Sequence, residues 1–595
     1  MQVVDNRTKK RLKKQLVSRR SEAAVMGQQA DDKIDRLLIR RFGRLVSVRR
    51  FVLLWTLLFV LLTLATALQL RELGKYYQVL KPTPGGLYNE GIIGTFTNAN
   101  PIYANGAADT AVSRLVFSGL FKYDQQNKLV GDLAIGYKTG SSLKQYTVYL
   151  KKNIKWQDGK PFTADDVVFT YKTIQNIEAE SSLYSSWQGI TVSKTSSSSV
   201  TFNLPNPLTA FPYSLTNGIV PAHLLSKIPV QQLRSASFNT SPVGTGPFIW
   251  RYVDVTGGSS DDRQQHISLA AYKNYWQGRP KLDGFSIITF SSEKRLVDTF
   301  KSKQLNAMSG LEALPQELAK DKNIQTYITP SSSAVMAFFN NSKPGLSDAK
   351  VRQALVSSVD RSKLAHLSPY PLHLVDEPLL RNQLGYDKTL AELPYNLDSA
   401  NQLLDQAGWV RDANGYRVKA GQILTFNLLS QDTNTYETTA TFLQQQWSKL
   451  GIKVNVNYRT SEDLQTSFIA NHSYDILLYG ISIGVDPDVY AYWDSTQASV
   501  TSQGHLNLSE YKSASSDQAL EGGRTRDDVS LRAAKYKVFL TNWRNDAPAL
   551  ALYEPNFIYI TRGPVFNYER DSANSASDRY YNVQNWMIRQ KKQNR

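Results

Sequence analysis

Two groups of residues in this 595-residue chain have types and spacings that suit chemistry. Gly480-Ile481-Ser482-Ile483-Gly484 is a G-x-S-x-G after an apolar run. That pattern exposes a nucleophilic serine on a strand-to-helix turn. His505 would act as its base, with Asp486 or Asp494 orienting the imidazole. A helix should start directly after the motif, yet Asp486-Pro487 follows within three residues, and so short a motif is readily met by chance. His366 and His373 lie seven apart in a loop-like stretch, and imidazole suits nickel. No H-E-x-x-H accompanies them, nor does any cysteine. The absence of cysteine excludes disulfides, thiolate metal sites, a cysteine nucleophile and a lipid carried on an N-terminal cysteine. No G-x-x-x-x-G-K-[ST] occurs, so no P-loop is recognisable. The expectation is a protein without catalytic residues, metal ligands or cofactor. A serine hydrolase and a nickel binder stand as minor alternatives.

The elements around these residues begin with a charge imbalance. The net charge is +18, but residues 1–50 hold 15 Lys/Arg against 5 Asp/Glu. The twenty residues Phe51–Leu70 that follow carry no charge. As a helix they span about 30 Å, the thickness of a bilayer's hydrocarbon core. The basic bias before them predicts a cytoplasmic N-terminus and residues 71–595 outside the cell. A signal peptide has a shorter apolar region and no 50-residue leader, so an uncleaved anchor is expected. Anionic headgroups, not nucleic acid, are the expected contact of the basic segment. Ile34, Leu37, Leu38, Phe42 and Leu45 fall at helical spacing and predict an amphipathic helix beside the membrane.

Beyond a linker at 71–85, the chain is rich in aromatic residues and long enough for two to four lobes. Ile423–Leu429, Ile452–Tyr458 and Tyr474–Tyr479 read as strands. Thr435–Leu450 and Glu462–Ala470 read as the intervening helices, with Gly451 at a C-cap. This βαβαβ order predicts a parallel sheet, with ligand-facing loops at Ser430–Thr435 and Gly480–Asp488. Gln145–Leu150 alternates as a strand, and Thr195–Ser199 reads as a hairpin turn. Thr163-x-x-Asp166 is a capping box, and Ser347 opens another helix.

Several segments then match one family in order. They are SRLVFSGLFKYD (113–124), YTVYLKKNIKWQDGKPFTADDVVFTY (146–171), VGTGPFIW (243–250), NYWQGRPKLDGFSIITF (274–290), FFNNSKPGLSDAKVRQALVSSVDRSK (338–363) and DPDVYAYW (486–493). Over about residues 88–570 the chain resembles the family 5 extracellular solute-binding proteins of ABC importers, which bind dipeptides, oligopeptides or nickel. The resemblance implies a mixed α/β, two-lobed clamp of the periplasmic-binding-protein type, with an additional small domain and one transmembrane helix before it. By family pattern lobe I is 86–116, 240–335 and 553–595, the small domain 117–239, and lobe II 336–552, with the hinge near Met336–Asn341.

Peptide binders of the family commonly hold the peptide's amino group with an aspartate shortly before D-P-D. Here that position is Ile483 or Gly484, and an arginine found in some members falls at Leu478. The implied wall is Leu478, Gly480, Ile481, Ser482 and Ile483, followed by Asp486, with backbone groups free for pairing to an extended ligand. Other ligand-binding positions carried over are Asn105, Ala107, Tyr184, Trp187, Met336 and Phe338. The expected partners are a peptide or peptide-like solute, ABC permease subunits with a separate ATPase, and the lipid bilayer through residues 51–70. The binding domain is expected to be a monomer. The alternative is a solute sensor that signals through the cytosolic segment.

Overall fold

The computed structural model describes residues 6–34, 49–259, 262–502 and 506–594. Most of the amphipathic stretch that begins at Ile34, and His505, lie outside the described residues. The chain divides into two compact units, Met1–Lys81 with Gln590–Arg595, and Pro82–Arg589. The first holds helices Asn6–Ile34 and Arg49–Tyr77. Arg49–Leu73, of mean hydropathy 2.5, is the one helix among the described residues long and apolar enough to cross a membrane. Its threonines are compatible with such a setting: the hydroxyls of Thr56, Thr63 and Thr66 donate to carbonyls of the preceding turn.

The second unit is built on three main sheets. A seven-stranded sheet runs in the order Ile324–Pro330, Asn556–Arg562, Ala307–Ser309, Leu87–Ile93, Gly284–Phe290, Gln264–Ala271, Phe248–Thr256. Leu87–Ile93 pairs parallel with both its neighbours. A six-stranded sheet runs His373–Leu374, Ala549–Glu554, Ser333–Phe339, Ile476–Ser482, Thr425–Gln431, Lys453–Arg459. A four-stranded antiparallel sheet joins Ala134–Thr139, Gln145–Leu150, Ser199–Asn203 and Thr191–Ser196. The expected hairpin turn forms between its last two strands.

The predicted βαβαβ unit is present. Thr425–Gln431 pairs parallel with Lys453–Arg459 and with Ile476–Ser482. Helix Asn434–Ser448 makes the first crossover, and Ser461–Asp463 running into a π-helix at Leu464–Ile469 makes the second. Gly451 has φ +79°, and a Cβ there would lie 2.2 Å from the Gly415 carbonyl oxygen, so the turn requires glycine. The capping box forms: Thr163 accepts from the chain beyond it while Asp166 accepts from Thr163 N. The helix expected from Ser347 is instead capped by Asp348, whose carboxylate accepts from Lys350 N at 2.9 Å.

The strand Ser333–Phe339 shows how the six-stranded sheet is packed. Val335, Ala337 and Phe339 enter one core with Trp447 and Leu355, while Ala334, Met336 and Phe338 enter the opposite core with Trp493 and Tyr536. Burial on both faces accounts for its unbroken apolar sequence. The chain passes between the two large sheets at Ser331–Ser332 and at Pro555, where Ser331 N donates to Pro555 O (2.9 Å). The stretch Met336–Asn341, where the hinge is expected, begins within this strand. Met336–Phe338 are laddered on both sides, to Ile476–Ser482 and to Ala549–Glu554. The four-stranded sheet shares one continuous core with the seven-stranded sheet, through Trp156, Tyr171, Trp187 and Phe248.

Candidate functional site

The carboxyl ends of Thr425–Gln431 and Ile476–Ser482 open onto the loops that the pattern singled out. The first loop, Asp432–Thr433, leads into helix Asn434–Ser448 and lines a cavity of about 850 Å³. The facing wall is Gly310–Gln316, just after a strand of the seven-stranded sheet, and Leu364–Leu372 closes a third side. Glu312 bridges the walls: its Oε2 accepts from Thr435 N (3.1 Å) and Thr435 Oγ1 (2.9 Å). A carboxylate fits there because the first turn of a helix leaves N–H groups unpaired and carries a partial positive charge. Leu314 N donates to the Tyr370 hydroxyl (3.1 Å) alongside.

The second loop is held rigidly. Ile483 N and Gly484 N both donate to Ser332 O at the sheet crossing (3.0 and 2.9 Å). Gln383 Nε2 donates to Gly484 O (3.0 Å). Asp486 accepts from Arg532 Nη2 on both oxygens (2.8 and 3.0 Å), and Asp488 pairs with Arg524 at 3.1 Å. Burial raises the Asp488 pKa, and the Arg524 guanidinium opposes that shift. Arg524 stacks over Tyr490, 4.2 Å from the ring centroid.

Tyrosines surround the strand end. Tyr492 OH donates to Ser482 O (2.7 Å), and the Tyr436 hydroxyl lies 2.9 Å from where a Cβ of residue 480 would sit. Only glycine at 480 admits Tyr436 so closely. Burial pushes the Tyr492 hydroxyl up to about 12 and the Tyr436 hydroxyl higher, so both stay neutral donors. From the four-stranded side, Thr209 N donates to Arg524 O (3.0 Å) and Thr209 Oγ1 to Arg526 O (2.6 Å). Burial, then the Tyr137 hydroxyl, raises the Tyr146 pKa to about 12, the Arg532 guanidinium pulls it back, and Asp486 adds a smaller upward push. Tyr213 is raised by burial first and then by Asp486.

The sequence-derived positions separate into two sets. Gly480 and Ser482 lie at the strand end, Ser482 exposed. Asn105 and Ala107 are exposed on either side of Gly106, the N-cap of helix Ala107–Val116. Tyr184 is half-buried in a short helix ending at Trp187. The others face inward. Ile481, Ile483, Met336 and Phe338 belong to a core, Phe338 stacked on Trp493 at 5.8 Å. Trp187 lies 4.2 Å from the Tyr171 ring and is 2% exposed, with one edge on a cavity of about 500 Å³ bounded by Ala104, Arg114, Asn217 and Asp578. Asp486 is committed to Arg532. The physical reason is shared: a large apolar side chain at a central strand or helix is retained by burial, and a carboxylate beside a buried guanidinium by pairing.

Among the described residues, the strand-to-helix turn that a nucleophilic serine needs is not formed at Ser482. No helix follows Ser482 until Tyr490–Trp493, and the intervening loop is pinned by Gln383 and Arg532. His366 and His373 are both exposed, and no group of three metal-ligating side chains occurs among the described residues.

Residues 128–503 match the model of the bacterial extracellular solute-binding proteins, family 5 Middle. The chain belongs to this family. The oligopeptide-binding protein AppA of Bacillus subtilis is 27% identical over 520 residues, covering 85% of this chain and 92% of AppA. The structure of AppA in complex with a nonapeptide superposes with a TM-score of 0.68 at 26% identity, covering 86% of this chain and 100% of that one. NikZ of Campylobacter jejuni, solved with Ni(L-His), shares the fold with a TM-score of 0.71 at 24% identity, covering 84% and 99%. As a family 5 solute-binding protein the chain is a binding protein and not an enzyme. Its fold is the mixed α/β fold of the periplasmic binding proteins. Sequence reasoning missed Glu312, Gln383, Tyr436, Tyr492 and Arg532. Gln383, Tyr436, Tyr492 and Arg532 act on the strand end that carries the family resemblance, and Glu312 acts on the neighbouring loop. Only Tyr492 lies within a quoted motif, DPDVYAYW.

Proposed function

We propose that this solute-binding protein is a membrane-anchored receptor that captures extended, oligopeptide-like solutes and hands them to an ABC permease driven by a separate ATPase. The observation that carries this reading is the cavity of about 850 Å³ bounded by elements of both large sheets. It opens at the carboxyl end of the parallel strand Thr425–Gln431, where ligands of open α/β folds bind. Lobe I comprises 86–116, 240–335 and 553–595, the small domain 117–239, and lobe II 336–552. The ligand lies between the lobes, against Gly480, Ser482, Asn105, Ala107 and Tyr184. The peptide binding of AppA supports the substrate class. With no carboxylate at 483 or 484 and Asp486 and Asp488 both paired to arginines, the ligand's amino end is not clamped by an ion pair in this loop. Backbone groups at the strand end hold a main chain instead, which tolerates varied side chains.

Phe51–Leu70 anchors the chain, with the N-terminus in the cytoplasm and the binding domain outside. Extraction of membranes with alkaline carbonate leaves the full chain in the pellet, and release into the supernatant refutes the anchor. Calorimetric titration of the detergent-solubilised full chain tests the substrate. Binding of a nonapeptide, with no heat from nickel–histidine, supports the reading; the reverse pattern refutes it.

A further inference from the structure

The positive charge beyond residues 1–50 is gathered at one place in the fold. Residues 51–595 hold 54 Lys/Arg against 46 Asp/Glu, a net of +8. Residues 71–83 and 589–595 alone hold seven Lys/Arg against one glutamate. These two segments lie at opposite ends of the sequence and meet in the structure. Strands Gln78–Thr83 and Arg589–Asn594 form a two-stranded sheet of their own. The first of them follows directly on helix Arg49–Tyr77. Lys81, Lys591 and Lys592 belong to the same compact unit as that helix. All three are exposed and form no ion pair with a described residue. Beside them Val79 and Leu80 are exposed by 37% and 57%. Exposed apolar side chains flanked by unpaired lysines suit a water–lipid boundary, where the former enter the layer and the latter meet headgroups.

The helix sets the depth of this ribbon. On the reading that Phe51–Leu70 spans the bilayer with residues 71–595 outside, helical residues 71–77 rise about 10 Å beyond the hydrocarbon. The headgroup layer on each side is about 5–8 Å thick. The ribbon therefore starts at the outer edge of the headgroups, within about one screening length of their charge. Resting on that reading of the anchor, we propose that the ribbon of Gln78–Thr83 and Arg589–Asn594 docks on anionic phospholipid headgroups of the outer leaflet. Lys81, Lys591 and Lys592 meet the lipid phosphates, and Leu80 enters the headgroup layer. The chain is then tied to the bilayer at its C-terminal strand as well as through the apolar helix.

The test uses the full chain in lipid nanodiscs. The sequence has no cysteine, so Gln593→Cys, at an exposed position of the C-terminal strand, gives a single site for a fluorophore. The discs are phosphatidylcholine alone or with about 30% phosphatidylglycerol, each with a trace of nitroxide-headgroup lipid that quenches on contact. Quenching should be stronger in the anionic discs and should be relieved as salt rises to about 0.5 M. Each lysine near an anionic surface is worth about fivefold in the docking equilibrium. The variant Lys81→Gln/Lys591→Gln/Lys592→Gln, whose changes are all at exposed positions, should therefore lose the extra quenching. Equal quenching in the two compositions overturns the docking while leaving the anchor intact, as does extra quenching that persists in the triple variant. Failure of the full chain to enter discs of either composition overturns the anchor and this inference with it.

Discussion

Replacing Asp486 by asparagine separates a structural role from a ligand-binding one. The Asp486 and Arg532 side chains are 10% and 8% exposed. Arg532 Nη2 reaches both carboxylate oxygens, at 2.8 and 3.0 Å, and Arg532 Nε donates to Gly523 O at 2.8 Å. Asp486→Asn leaves the guanidinium in place with its counter-charge gone. Breaking one side of a buried pair costs about 3–5 kcal/mol, mostly from the charge left uncompensated. Arg532→Met removes the other partner, and the double variant Asp486→Asn/Arg532→Met has no stranded charge. The double variant should therefore recover about 1–3 kcal/mol relative to the sum of the single losses. Urea unfolding of the full chain, followed by tryptophan fluorescence, measures all three. Titration with a bound peptide, extrapolated to the folded protein, should show a far smaller loss than the stability does. An Asp486→Asn protein with an unchanged unfolding midpoint and abolished peptide affinity would refute the reasoning and return Asp486 to the role of ligand anchor.

Glu312→Gln removes the carboxylate from the start of helix Asn434–Ser448, a loss of about 0.3–1 kcal/mol of bridging across the cavity; small-angle scattering of the ligand-free chain should show a more open population, and unchanged scattering counts against the bridge. Phe338→Ala should lower stability by about 3–5 kcal/mol in urea unfolding, as expected for a buried ring, and leave peptide affinity nearly intact; the opposite pattern would place Phe338 in the cleft. Burial pushes Glu377 and Glu392 up to about 8 from 4.5, with Arg361 opposing the shift at Glu392. Because the folded state holds these protons more tightly than the unfolded chain, their contribution is complete below about pH 4.5 and is lost as pH rises through about 8. Unfolding midpoints taken from pH 5 to 8.5 should fall for the wild type and fall less for Glu392→Gln; identical slopes contradict the burial argument.

The parts legible in the sequence are those written in local periodicity. The βαβαβ unit is displaced by only one to three residues at its boundaries, because alternation and helix spacing record which face is buried. The capping box Thr163–Asp166 is legible because its partners lie three residues apart. The crossing between sheets is not: SAVMAFF reads as one apolar run, and its place as a central strand follows only from its pairing with Ile476–Ser482 and Ala549–Glu554. The site is the least legible part. Glu312 meets Thr435 across 123 positions and Arg532 meets Asp486 across 46, so no spacing rule connects them. Trp187 and Phe338 follow from position within a family pattern, which does not report the direction of a side chain. Their burial among Tyr171, Phe202 and Trp493 follows from packing that only the folded chain defines.

Native mass spectrometry of the full chain, extracted in detergent directly from its membranes, tests peptide capture most directly. The account predicts adducts of peptide mass that fragment into b and y series and that disappear after denaturation. A nickel-bearing adduct or a sugar in place of peptides would contradict it.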